Sequence, residues 1–152
     1  MRPRLSWDSG TSPDPDIESC LASLPAVYRL TRETLTSGQP TEGHFTFLRD
    51  AGCECVLSLL PPGQEPVWEE GLCDDLGLDY HVVPVVWLDP RPRDFERFRN
   101  QITEWSGRRM LVHCAANLRV SSFFYVWRTL DQLCDPDAAA TDLHAVWTPN
   151  PV

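Results

Sequence analysis

Apolar positions along this chain alternate between two periods. Short continuous apolar runs, bounded by Gly, Pro and Asp, are followed by longer stretches with an apolar residue every three or four positions. The first pattern marks buried strands and the second marks helices with one core-facing side. Ala26 to Leu30 and Glu33 to Ser37 read as two short strands around a turn. After the loop Ser37-Gly38-Gln39-Pro40, Thr41 caps a helix to about Asp50, with Phe45 and Leu48 facing inward and Gly52 closing it. Cys53 to Leu59 is a strand stopped by Pro61-Pro62-Gly63, Val67 to Leu76 a helix ending at Gly77, and Leu78 to Val83 another strand. Pro84 to Pro92 is a loop carrying Trp87-Leu88-Asp89-Pro90. Asp94 then opens a helix with Phe95, Phe98, Ile102 and Trp105 at helical spacing, ended by Gly107. Arg108 to His113 is a strand, the next helix shows Val120, Phe123, Phe124, Trp127, Leu130 and Leu133, and Pro136 to Trp147 is the last helix. Strands alternating with helices predict an α/β fold: a central, largely parallel sheet with helices on both faces. Residues 1 to 15 are rich in Pro, Ser and Asp without periodicity and read as a mobile tail, which leaves residues 16–152 as one domain.

Composition narrows the function. A formal net charge of −9 argues against a nucleic-acid partner. All 13 basic residues are arginine, which excludes a Walker A lysine and any lysine Schiff base. No apolar run approaches the ~18 residues of a membrane span, and Arg2 and Arg4 do not lead into the apolar core of a signal peptide. A cytoplasmic protein without a membrane partner is expected, with the oligomeric state open. Six cysteines occur at irregular spacings, and Cys53-Glu54-Cys55 lacks a matching ligand pair, so neither a disulfide framework nor a metal site is expected. No cofactor is expected either. Five of the cysteines read as structural thiols.

The exception is Cys114. The apolar run Met110 to Val112 meets His113-Cys114, then the small residues Ala115-Ala116-Asn117, then Leu118, Arg119 and a helical pattern. Strand, tight loop and helix start in that order build an anion site, because the first helical amides lack intrahelical partners and the helix dipole is positive there. Such a place favours the thiolate form of a cysteine. Arg119 adds a planar cation whose fork matches phosphate oxygens. Asn117 suits a loop position with positive φ. The parallel-sheet topology puts this loop at the carboxyl end of a strand, where ligands of such folds collect.

Four stretches in colinear order carry a family resemblance: Leu35 to Thr41, Pro84 to Pro90, Val112 to Phe123, and Asp142 to Pro151. Together they resemble the cysteine-dependent, dual-specificity-like tyrosine phosphatases, and more narrowly a bacterial branch of small stand-alone phosphatase-like proteins. The resemblance implies a cysteinyl-phosphate on Cys114, formed from a phosphorylated protein or a small phosphomonoester. Arg119 and the amides of Ala115, Ala116, Asn117 and Leu118 would hold the equatorial oxygens. His113 would support the loop, Ser121 would donate to the sulfur as leaving group, and Asp89 would protonate the departing alcohol. Asp94 is a second candidate acid, more simply read as a helix-start charge.

One departure stands out. The family signature has five residues between Cys and Arg, whereas four separate Cys114 from Arg119, with Val120 before Ser121. One position is about 100° of rotation at a helix start, so Arg119 cannot enter the cradle by the usual route. Two alternatives stay beside the hydrolase: a rhodanese-like sulfurtransferase, whose loop also places Arg five positions after the cysteine, and a phosphate-binding pseudophosphatase with little turnover.

Overall fold

The structure is a computed structural model that describes residues 4–7, 12–131 and 133–148. Its elements run α1 (Pro15–Ala22), β1 (Tyr28–Arg29), β2 (Thr34–Ser37), α2 (Glu42–Asp50), β3 (Cys55–Ser58), α3 (Glu69–Asp75), β4 (Asp79–Val82), α4 (Pro92–Glu104), β5 (Met110–His113), α5 (Leu118–Leu130) and α6 (Pro136–Val146). The strands form one sheet in the order β1-β2-β5-β3-β4. β2, β5, β3 and β4 are parallel, and β1 is an antiparallel edge.

β2, β3 and β5 are buried throughout, so both faces must be covered. Alternate residues of β5 feed two cores. Val112 joins Leu57, Phe98, Ile102 and Phe124 on the side of α4 and α5. Leu111 joins Val56, Leu21, Phe45 and Cys73 on the side of α1, α2 and α3. Phe98 is the hub of the first core, edge-on to Phe123 at 5.4 Å and to Phe124 at 5.0 Å. The second edge strand, β4, turns Asp79 and His81 to solvent, which discourages pairing with another chain. α6 packs along α5. No helix among the described residues is long and apolar enough to cross a membrane.

The predicted elements are present with shorter strands. The helix after Thr41 matches α2, and Gly52 follows it at φ 107°. The helix expected to open at Asp94 begins at Pro92. Asp94 sits inside its first turn and accepts from the Arg91 amide at 2.9 Å. α5 ends at Leu130, so Leu133 lies beyond it.

The expectation of a mobile tail is corrected where the chain is described. Trp7 is buried, its indole N–H donates to the Glu33 carbonyl at 2.8 Å, and its amide donates to Ala51 at 3.0 Å. Glu18 on α1 accepts from the amides of Leu5 and Ser6 at 2.8 and 2.9 Å. A single tryptophan filling a gap beside α2 anchors Arg4–Trp7, a signal too short for any periodic pattern. The rest of the expected tail before Ser12 lies outside the described residues.

Candidate active site

β5 ends at His113 and hands the chain to a loop that doubles back over the end of β2. The Cys114 amide donates to Ser37 at 3.3 Å, and the Gln39 amide donates to Ala115 at 3.1 Å. This close approach requires glycine at position 38, where a Cβ would lie 2.5 Å from the Ala115 carbonyl oxygen and 3.1 Å from the Ala116 Cα. Asn117 is left-handed at φ 66°, as its side chain permits. Its Nδ2 donates to the Ala26 carbonyl at 2.8 Å and to the Thr36 hydroxyl at 3.0 Å, fastening the loop to β2.

Gly38 pairs with Ala116 as an isolated antiparallel bridge, which sets the Ala115 and Ala116 backbone at the mouth of the loop. The amides of Leu118, Arg119 and Val120 open α5, where the helix itself offers them no partner. Ala115 and Ala116 are exposed, so water or an anion can reach these donors. They lead into the first turn of the 13-residue α5, whose dipole adds positive potential at the same place. Cys114 begins this cradle and is fully buried beneath it, against the core of α4 and α5. The other buried thiols lack such surroundings: burial pushes Cys55 and Cys73 up to about 12, and Cys53 is pushed higher still.

Arg119 lies beside the cradle rather than within it. Its guanidinium carbon is 5.6 Å from the centre of the Trp87 ring, and its Nε is buried without a partner. Val85, Trp87, Pro90, Phe123 and Trp147 wall a cavity of about 270 Å³ around it. Trp87 and Trp147 meet at 5.7 Å, so the loop after β4 and the end of α6 close that cavity together.

Two expected site residues point elsewhere. The Ser121 hydroxyl donates to the Asn117 carbonyl at 2.7 Å and accepts from the Trp147 indole at 3.1 Å, so it is engaged away from the Cys114 sulfur. Asp89 is exposed and accepts from Arg91 Nε and Nη2 at 3.1 and 2.8 Å. It lines an open cleft with Arg93 and Arg97, not the cavity that holds Arg119.

A buried network behind the loop was not anticipated. His113 Nε2 lies 2.7 Å from Glu69 Oε2, with both side chains fully buried. Gln39 Nε2 donates to the other oxygen, Glu69 Oε1, at 2.6 Å. Burial pushes the Glu69 carboxyl up, but the hydrogen bond and charge of His113, with help from Gln39, outweigh it and hold the group below the usual carboxylate range. Tyr80 faces the same carboxylate without a well-formed hydrogen bond, and burial beside that charge raises its phenol.

A largely parallel sheet with a cysteine-led loop between its central strand and α5 defines a phosphatase-like protein of the tyrosine-phosphatase fold. No protein-family model and no curated protein matches the sequence. Solved structures do. A DUF442 protein assigned as a phosphatase, from Shewanella putrefaciens CN-32, shares 31% identity over 81% of this chain and 83% of its own, with a TM-score of 0.72. The core catalytic domain of Siw14, a PP-IP phosphatase of S. cerevisiae, is similar in fold, with a TM-score of 0.69 over 82% of this chain and 76% of its own at 16% identity. A protein of Neisseria meningitidis Z2491, also assigned as a phosphatase, gives 0.65 over 80% and 88% at 20% identity. The chain belongs to the DUF442 family of phosphatase-like proteins.

Proposed function

We propose that the protein is a cysteine-dependent phosphomonoester hydrolase acting on a phosphorylated protein or a small phosphomonoester, without a cofactor. The loop that opens on Cys114 and delivers its exposed backbone to the first-turn amides of α5 carries this reading. A phosphoryl group seated there satisfies those donors with its equatorial oxygens, and the same donors hold the charge that spreads over it in the transition state. The Cys114 sulfur attacks phosphorus in line, an Sγ–P bond forms, and the P–O bond to the alcohol breaks. Asp89 gives the departing oxygen its proton, which requires it to leave Arg91. Water then attacks phosphorus, Asp89 takes its proton, the Sγ–P bond breaks, and inorganic phosphate leaves with the thiolate restored. Arg119 reaches the phosphoryl oxygens from the side of its cavity, and His113 supports the loop from behind. Ser121 assists the leaving sulfur if its hydroxyl turns from the Asn117 carbonyl.

A second reading, a phosphate-binding protein with little turnover, is favoured by the stations of Arg119, Ser121 and Asp89, each engaged outside the cradle. Steady-state hydrolysis of an aryl phosphate beside orthovanadate binding separates the two. The hydrolase reading expects turnover that Cys114→Ser abolishes while vanadate still binds. Vanadate binding with no turnover by the unaltered protein establishes the second reading instead.

A further inference from the structure

We propose that Glu69 is a positioning residue for the Cys114 loop, a role that rests on the hydrolase reading above. Its two carboxylate oxygens take different partners, and each partner controls one side of the nucleophile. Oε2 holds His113, the residue before Cys114, and Oε1 holds Gln39, whose own amide grips the carbonyl of Ala115, the residue after it. One buried carboxylate thus fixes the chain on both sides of the reactive sulfur. His113 Nδ1 and Gln39 Oε1 are buried without partners, so Glu69 is the anchor of the His113 ring, while Gln39 Nε2 is shared between Glu69 and the Pro40 carbonyl at 2.9 Å.

The arrangement is costly as a purely structural device. Taking a carboxylate and an imidazole out of water is repaid only when geometry is good, and apolar residues of similar volume often serve stability as well or better. The core on its side of the sheet holds Leu72 on α3, Leu76 just after it, Val56 on β3 and Phe45 on α2, all apolar. The titratable groups facing Glu69 are His113 from β5, Tyr80 from β4 and Cys73 from its own helix, and the latter two are pushed towards their neutral forms. The negative charge of Glu69 is therefore matched by His113 alone among them. A fixed loop start is what an in-line attack by sulfur needs, since misplacement of about 1 Å costs on the order of 100-fold in rate.

The test is Glu69→Gln in the full chain. The Cys114 thiolate is followed by its absorbance near 240 nm, with Cys114→Ser in each background as the blank. The buried thiols of Cys53, Cys55 and Cys73 stay silent below about pH 11 because burial raises them to about 12 or beyond. The expected result is a thiolate titration moved up by about one pH unit, as the released loop withdraws its amides from the sulfur. A fall of at least tenfold in kcat for an aryl phosphate should accompany it. A folded variant whose titration superimposes on that of the unaltered protein, or moves down, overturns the proposal. Should Glu69→Gln fail to fold, Gln39→Ala, which removes the other side-chain contact of Glu69, carries the same expectation and the same overturning outcome. Because the titration needs no turnover, its result is independent of whether the unaltered protein hydrolyses phosphate esters, which alone decides the hydrolase reading.

Discussion

Gly38 has room for a hydrogen and nothing larger, because the backbone of the Cys114 loop lies against it. Gly38→Ala should lower stability by about 1–3 kcal/mol through overpacking against backbone that cannot turn aside. Urea unfolding measures it, and kcat for an aryl phosphate should fall as Ala115 is displaced. Asn117 separates dihedral from side chain. Asn117→Gly keeps the positive φ and loses the bonds to Ala26 and Thr36, whereas Asn117→Ala loses both features. The alanine variant should unfold about 1 kcal/mol more easily than the glycine variant. Equal losses would mean that the side-chain bonds alone hold the loop. The left-handed turn was legible in the sequence, since Asn is among the few residues that suit one in a loop of this kind. Glu69 was not. It lies in the stretch read only as a helix from Val67 to Leu76, and its partner is 44 positions away. No local spacing betrays a contact of that range.

At the scale of elements, the alternation of period predicted β2 to α6 correctly in kind and order. The strands came out shorter mainly at their starts: β1, β3 and β5 begin at Tyr28, Cys55 and Met110 rather than at Ala26, Cys53 and Arg108, because ladder pairing begins there and not where the apolar run does. α1 escaped prediction: eight residues with one buried position, Leu21, give almost no periodic signal, although Asp14 and Pro15 form a regular cap. The loop from Pro84 to Arg91 shows what periodicity cannot reach. Its Trp87-Leu88-Asp89-Pro90 segment holds the candidate acid, yet the direction of each side chain is set by tertiary partners. Trp87 turns to Arg119 and Trp147, and Asp89 turns to Arg91. An exposed pair of this kind is worth little, so it presents a small barrier to Asp89 entering the site. If Asp89 is the acid, Asp89→Asn should slow a phosphotyrosine peptide about 100-fold or more and spare an activated aryl phosphate, whose phenolate leaves without a proton. Equal losses on both substrates would remove Asp89 from the chemistry.

For the molecule as a whole, two buried or half-buried carboxylates tie distant segments together and set its response to acid. Glu18 joins α1 to Leu5 and Ser6, which in turn seat Trp7 against α2 and the start of β2. Burial pushes its carboxyl up, but the Ser6 hydroxyl, the two amides and Arg4 together hold it below the ordinary range. Glu69 is held down likewise by His113. Both groups are therefore ionised more readily in the folded protein than in the unfolded chain, where a glutamate titrates near 4.3. Groups of this sign contribute stability that is complete above the unfolded value and is lost as pH falls through the folded one. Melting temperature should decline gently below about pH 6.5, where burial makes the His44 imidazole resist a proton that the unfolded chain accepts, and then fall steeply below about 4.5, where the unfolded chain also takes up protons that the two carboxylates resist. Glu18→Gln should melt lower at pH 7 and show a shallower decline in acid, with the amides of Leu5 and Ser6 exchanging faster than those of β5. A decline as steep as that of the unaltered protein would mean that Glu18 titrates alike in both states, and that the amino-terminal segment is held by Trp7 alone.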